Sequence, residues 1–230
     1  MFNTRGIALA TLGAVLFGVY LRAYRPWHSR WGATDEEVAR AMPGDELTLR
    51  PTFNVTRAIT IRAHPQDIWP WIVQIGFGRA GFYSYDLLDN LGRPSAEHIV
   101  PELQHIEVGT WIPMSGKVSQ ETAFSVRAFE TNRWMLWEKA ASTWAWKLLP
   151  IDEGHTRLII RLRCHYRWDR PTIVTDLILM EIGDFPMMRK LMLGIKRRAE
   201  HGSQQSRETA AATAGEGTLA PLNTYRGGGQ

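Results

Sequence analysis

The polar side chains best suited to chemistry fall between residues 79 and 102. Tyr83, Tyr85, Asp86 and Glu102, with Arg79 close in sequence, form the most credible constellation. A buried acid beside tyrosines acts as a general acid or base, or orients a ligand hydroxyl or carbonyl. Tyr83, Asp86 and Glu102 are therefore the candidates for proton transfer. The competing reading is a structural Arg79–Asp86 ion pair with the tyrosines exposed. Other chemistries lack their residues. The seven histidines show no H-x-x-H or H-x-x-x-H pairing, and Cys164 stands alone, so no metal site is expected. Cys164 reads as a small buried hydrophobe. Gly76-Phe77-Gly78-Arg79-Ala80-Gly81 matches G-x-G-x-x-G. That motif holds a pyrophosphate only between a strand and a helix of a parallel unit. A turn between two helices is the better reading, and no cofactor is implied.

Ten tryptophans are many for 230 residues. Large aromatics fill a core or wall an apolar pocket. Trp69, Trp71, Trp111, Trp137, Trp144 and Trp146, with Met135, Tyr83 and Tyr85, are the candidate ligand-binding residues. Trp144, Trp146 and Leu148 share one strand face, as do Met135 and Trp137 on the preceding strand. A solid core built from these indoles would need partners for many buried N–H groups. A cavity and a filled core both remain open at this point. Arg157, Arg161 and Arg163 share the opposite face from Leu158, Ile160, Leu162 and Cys164 and read as a solvated stripe.

The elements that position these residues follow from periodicity. Trp31–Leu47 suggests a short helix capped by Thr34. Thr52–Ala63 reads as a strand. Pro65–Ile75 and Tyr83–Leu91 read as short helices. His105–Val108, Thr110–Met114, Ala123–Glu130, Arg133–Lys139, Thr143–Pro150 and Thr156–Tyr166 read as the strands of an antiparallel meander. From Asp169 to Glu200 the spacing is helical, with Val174, Ile178, Ile182, Phe185, Met188, Met192 and Ile195 on one stripe. Gly183 and Pro186 predict a kink there. Arg189, Lys190, Lys196, Arg197 and Arg198 crowd this helix as solvated surface or as a contact for anionic headgroups. The composition of residues 201–230 predicts a disordered tail.

At the other end, Gly6–Leu21 is free of charge. Sixteen helical residues span about 24 Å, short of the roughly 30 Å hydrocarbon core. Flanking residues extend the segment, so residues 4–24 are expected to meet the membrane. A cleaved signal peptide fits less well, because Leu-Arg-Ala-Tyr-Arg-Pro-Trp is a poor cleavage site. Residues 1–30 carry four arginines and no acid, whereas residues 31–200 hold 21 basic and 21 acidic residues. The net charge of +4 therefore flanks the apolar segment. The absence of a domain-wide basic excess argues against nucleic acid. Arginines on the C-terminal flank lean towards a single-pass membrane protein with its domain in the cytoplasm.

On the residues WGATDEEVARAMPGDEL (31–47), TRAITI (56–61), WPWIVQIG (69–76), RAGFYSYDLLDNL (79–91), PELQ (101–104) and GIKRRAE (194–200), the chain resembles the START and Bet v 1-like helix-grip superfamily. The likeness extends to its polyketide cyclase/dehydrase-like members with an N-terminal apolar segment. The resemblance implies an α+β fold, a curved antiparallel β-sheet wrapped around a long C-terminal helix, here with an N-terminal transmembrane helix. It also implies a lipid-like or polycyclic ligand in a central cavity. Because such folds serve both carriers and enzymes, it implies no particular chemistry. The expected organisation is an anchor over 1–30, a ligand-binding domain over 31–200 and a tail over 201–230. The leading expectation is a membrane-tethered module for a hydrophobic small molecule. A cyclase- or dehydratase-like enzyme and a structural protein with a filled core are the alternatives.

Overall fold

A computed structural model describes residues 4–140, 142–169 and 171–216 of the chain. Six strands form one antiparallel sheet: β1 (Phe53–Ile61), β2 (Trp111–Pro113), β3 (Ala123–Glu130), β4 (Trp134–Lys139), β5 (Ser142–Pro150) and β6 (Thr156–Cys164). Their order is β1-β6-β5-β4-β3-β2. The meander from β2 to β6 is thus closed by the N-terminal strand, which pairs with β6 from Phe53↔Cys164 to Ile61↔Thr156. The register shifts between Val126 and Ala128 against β4, the kind of irregularity that bends a sheet. His105–Val108, expected as a strand, is not one; the chain turns there, and Gly109 N–H donates to the Val126 carbonyl.

Among the described residues, seven α-helices accompany the sheet: α1 (Thr4–Val19), α2 (Arg25–Ser29), α3 (Asp35–Ala39), α4 (Pro65–Val73), α5 (Asp86–Asp89), α6 (Ile173–Ile178) and α7 (Asp184–Glu216). Helix α7 is the long helix that the curved sheet grips. Its Met188, Met192, Ile195 and Ala199 join α4 and the inner sheet residues in one core. It runs past Gly202, where the sequence places the start of a tail. Ala-rich sequence supports helix regardless of hydrophobic content. Residues 217–230 lie outside the described residues.

The outer sheet face is covered as well. Residues 31–47 cross it, and Met42 packs on Ala58, Leu136, Ala145 and Ile159. This corrects the expectation of a solvated arginine stripe. Arg161 is buried: it donates to the carbonyls of Glu37, Val38 and Arg40 and pairs with Asp45 at 2.6 Å. A cation is thereby set against the C-terminal carbonyls of α3, where the helix dipole favours it. Arg157 pairs with Glu37 at 2.7 Å, and Arg163 with Asp45 at 2.7 Å. Thr34 caps α3 in a capping box with Glu37, as its sequence position suggests. The basic residues of α7 are also engaged: Arg198 and Arg197 reach Glu97, Lys196 donates to the Thr60 carbonyl, and Lys190 lies over the Tyr85 ring.

Two π turns interrupt the helices, at Tyr20–Tyr24 between α1 and α2 and at Leu179–Gly183 between α6 and α7. The second stands where Gly183 and Pro186 predict a kink. The first leaves Gly6–Ser29 as one continuous helix of 24 residues, none buried in its most apolar window. At 1.5 Å per residue it measures about 36 Å. By length and composition this helix is long and apolar enough to cross a membrane, with its exposed apolar part in α1.

The two π turns meet. Glu181, in the second, accepts hydrogen bonds from Tyr20, from Arg25 Nε at 2.8 Å and from Tyr166 Oη at 2.6 Å. His28 is fully buried, and Trp27 packs edge-on against Phe185 with ring centroids 5.1 Å apart. Residues 20–30 therefore pack on the domain, although the sequence reading assigns them to the anchor.

Candidate ligand cavity

Between the sheet and the start of α7 lies a cavity of about 340 Å³. It sits at the small end of the roughly 300–1,000 Å³ typical of ligand pockets. Strand register explains its inner wall. Trp137↔Trp144 and Trp144↔Leu162 form one rung on the inner face; Lys139↔Ser142 and Ser142↔Cys164 form the next. Phe124 lies beside the second rung, because Ser125 pairs with Glu138. The opposite wall comes from Leu179 and Met180 in the π turn, from Met187, Met188 and Leu191 of α7, and from Phe82, Ser84, Leu88 and Asp89. The lining is mostly apolar, with three charged side chains among it.

Those three differ in how they are satisfied. Asp184 is paired with Arg57, Nη1 to Oδ2 at 2.6 Å. Arg57 is an inward-facing arginine on β1; its Nε donates to the His28 carbonyl at 2.8 Å and its guanidinium lies over Phe185. Burial raises the Asp184 carboxyl above the ordinary range, and Arg57 pulls in the opposite direction. Asp89 is 91% buried, and among the described residues neither of its carboxylate oxygens has a well-formed hydrogen bond. The adjacent Ser84 hydroxyl donates instead to the Met187 carbonyl at 3.0 Å. Burial, reinforced by the charge of Asp86, raises the Asp89 carboxyl. Lys139 forms no ion pair or hydrogen bond among the described residues; its Nζ rests 4.9 Å from the centre of the Phe124 ring. Burial lowers its pKa. The Cys164 thiol is pushed up to about 12 by burial, so it is not a nucleophile at neutral pH.

The structure separates the residues singled out by sequence. Trp144 lines the cavity. Met135, Trp137 and Trp146 lie behind it in the core, where Trp146 stacks on Trp144 at 5.0 Å and 21°. Trp137 Nε1 donates to Met135 Sδ, while the indole N–H groups of Trp144 and Trp146 are buried without partners among the described residues. Trp69 and Trp71 are buried on α4, away from the cavity lining. Trp111 is 43% exposed and Tyr85 is exposed. Tyr83 is buried; its hydroxyl donates to the Trp71 carbonyl at 3.1 Å, and Arg198 lies over its ring. Asp86 accepts from Ser95, and Glu102 is exposed. Neither lines the cavity. The Arg79–Asp86 pair does not form: Arg79 donates to the carbonyls of Val73 and Ile75. The glycine motif is a turn between α4 and α5, closed by reciprocal Gly76–Gly81 hydrogen bonds.

Sequence reasoning missed Lys139, Asp89 and Asp184. A signal for Lys139 was present. In β4, Met135, Trp137 and Lys139 share the inner face, so the alternation puts a lysine where an apolar residue is expected. Arg57 carries the same signal on β1, between Val55 and Ile59.

Sheet order, register and the gripped helix define a helix-grip fold. Among solved structures, a polyketide-cyclase-like protein of Corynebacterium glutamicum is similar over 63% of this chain and 89% of its own, at 14% identity and a TM-score of 0.40. A protein of Mesorhizobium loti is similar over 65% and 98%, at 15% identity and a TM-score of 0.38. A protein of the dynemicin biosynthetic locus is similar over 66% and 49%, at 16% identity and a TM-score of 0.37. No family model and no curated protein matches the chain.

Proposed function

We propose that this protein is a membrane-tethered binding module that holds one hydrophobic small molecule between its sheet and α7. The observation that carries this reading is the mostly apolar cavity of about 340 Å³. Its size suits a single-chain or compact ring molecule. Native mass spectrometry of protein extracted in mild detergent tests the reading. A bound apolar mass is expected, and Met187→Trp, which projects an indole into the cavity from a half-buried wall position, should remove it while leaving the fold intact. An empty wild-type protein under these conditions would count against the reading, as would a variant that keeps the ligand.

Support for the tether comes from both sides of the Glu181 junction. The Gly6–Ser29 helix has the length and apolarity of a span. Beside it, α6 and the following π turn contain no buried residue. The stripe drawn from sequence therefore divides: Phe185, Met188, Met192 and Ile195 enter the core, whereas Val174, Ile178 and Ile182 are 63, 56 and 60% exposed. Apolar helices are left uncovered at a cost unless another surface meets them, and here the adjoining membrane helix puts a bilayer within reach. A chain beginning at Tyr20 keeps the contacts of residues 20–31 and loses α1. It is expected to bind phosphatidylcholine vesicles in a flotation assay, and Ile178→Asp with Ile182→Asp should reduce that binding at least tenfold. Equal flotation of both proteins would remove α6 from the membrane-facing surface.

A further inference from the structure

We infer that the ligand carries an anionic head group, a carboxylate, and that Lys139 is the residue that receives it. This rests on the cavity reading above and specifies its ligand class.

Two cations occupy inward-facing positions of the sheet, Arg57 on β1 and Lys139 on β4. Inward charges in a sheet core require a counter-charge or hydrogen-bond partners. For Arg57 the chain supplies both, in Asp184 and the His28 carbonyl. Lys139 is half-buried at the cavity, and for it the described residues supply an aromatic ring and no anion. The other titratable groups of the cavity do not fill the gap. Asp184 is taken by Arg57. The Cys164 thiol, across Ser142 from Lys139, stays protonated. Asp89 forms no ion pair with Lys139 among the described residues, and burial holds its carboxyl raised. Asp176 on α6 is the acid whose field reaches Lys139, but it forms no ion pair with it and accepts from the Thr172 hydroxyl instead.

The surroundings of the ammonium fit a carboxylate on an apolar body. Phe124, Trp144, Leu162 and Met180 line the same cavity. A monocarboxylate would give the lysine its missing charge while its hydrocarbon contacts these walls. A lysine offers a compact point charge with three rotatable donors on a flexible stem, so it meets a carboxylate without requiring one fixed bidentate geometry.

The test is calorimetric titration of the purified full-length chain with two matched pairs: decanoate against decanol, and 2-naphthoate against 2-naphthalenemethanol. At least one acid is expected to bind tenfold or more tightly than its alcohol. Lys139→Met should abolish that preference and leave alcohol binding within about twofold, and Lys139→Arg should retain it. Retained alcohol binding shows that the methionine variant is folded. An acid preference that survives in Lys139→Met, or acids and alcohols that bind the wild type alike, would overturn the assignment and leave the cavity as a neutral apolar site. Binding of none of the four would overturn the assignment together with the cavity reading.

Discussion

Arg57→Met is expected to destabilise the fold by about 3–5 kcal/mol, the range for breaking a buried pair and stranding one charge. The methionine retains much of the aliphatic stem, so the loss is electrostatic rather than a cavity. It strands the Asp184 carboxylate and takes the donor from the His28 carbonyl. Urea unfolding of the chain beginning at Tyr20 measures the effect as a shift in midpoint with an unchanged slope. Arg57→Met combined with Asp184→Leu should recover most of the loss, because it removes the stranded charge. The deficit of the single variant should also depend on pH. Burial already raises Asp184 above its ordinary value, and removing Arg57 raises it further. A carboxyl whose folded pKa exceeds its unfolded value of about 3.9 opposes folding increasingly as pH rises above that value. The deficit is therefore largest at neutral pH and shrinks as pH falls towards 4. A deficit that grew on acidification would contradict this account of the pair.

Gly194→Ala is expected to destabilise by about 2 kcal/mol, although helix propensity alone favours alanine by about 1 kcal/mol. Packing opposes propensity here. A Cβ at residue 194 would stand 2.4 Å from the Tyr83 carbonyl oxygen and 2.7 Å from Tyr83 Cβ. Tyr83 cannot easily yield. Its φ is already +57°, its N–H donates to Ser95, and its hydroxyl is held by Trp71. Overpacking of this kind costs about 1–3 kcal/mol, and more against backbone. Gly202→Ala is the control on the same helix. Nothing lies within 4 Å of its Cβ position, so it should stabilise. Thermal and urea melts of the two variants in one background should move in opposite directions. A shift in the same direction would mean that α7 does not approach Tyr83 this closely.

The sheet was legible in the sequence because each strand alternates. β3 begins and ends where its pattern does, and β4, β5 and β6 deviate by one or two residues. Helix α3 was legible through its capping box, although only five of the residues from Trp31 to Leu47 are helical. Less of the site was legible. A cavity forms where the sheet and the gripped helix diverge, and that depends on distances which periodicity does not encode. Trp144 and Trp137 face the same way on paired strands, yet one lines the cavity and the other is enclosed by its neighbours. Asp86 and Asp89 are three residues apart on one short helix; Ser95 engages the first, while the second lies against the cavity. The arginines of β6 failed differently. Their face was read correctly as opposite the core, but a covering segment more than 100 residues earlier makes that face an interior.

The stacked indoles on the sheet give the cavity a built-in optical reporter. Trp144 lies nearly parallel to Trp146 at 5.0 Å and meets Trp137 edge-on at 5.2 Å. Transitions of chromophores this close couple as excitons, and one of the three rings forms part of the cavity wall. The near-ultraviolet circular dichroism of the protein thus records the occupancy of the cavity without any added label.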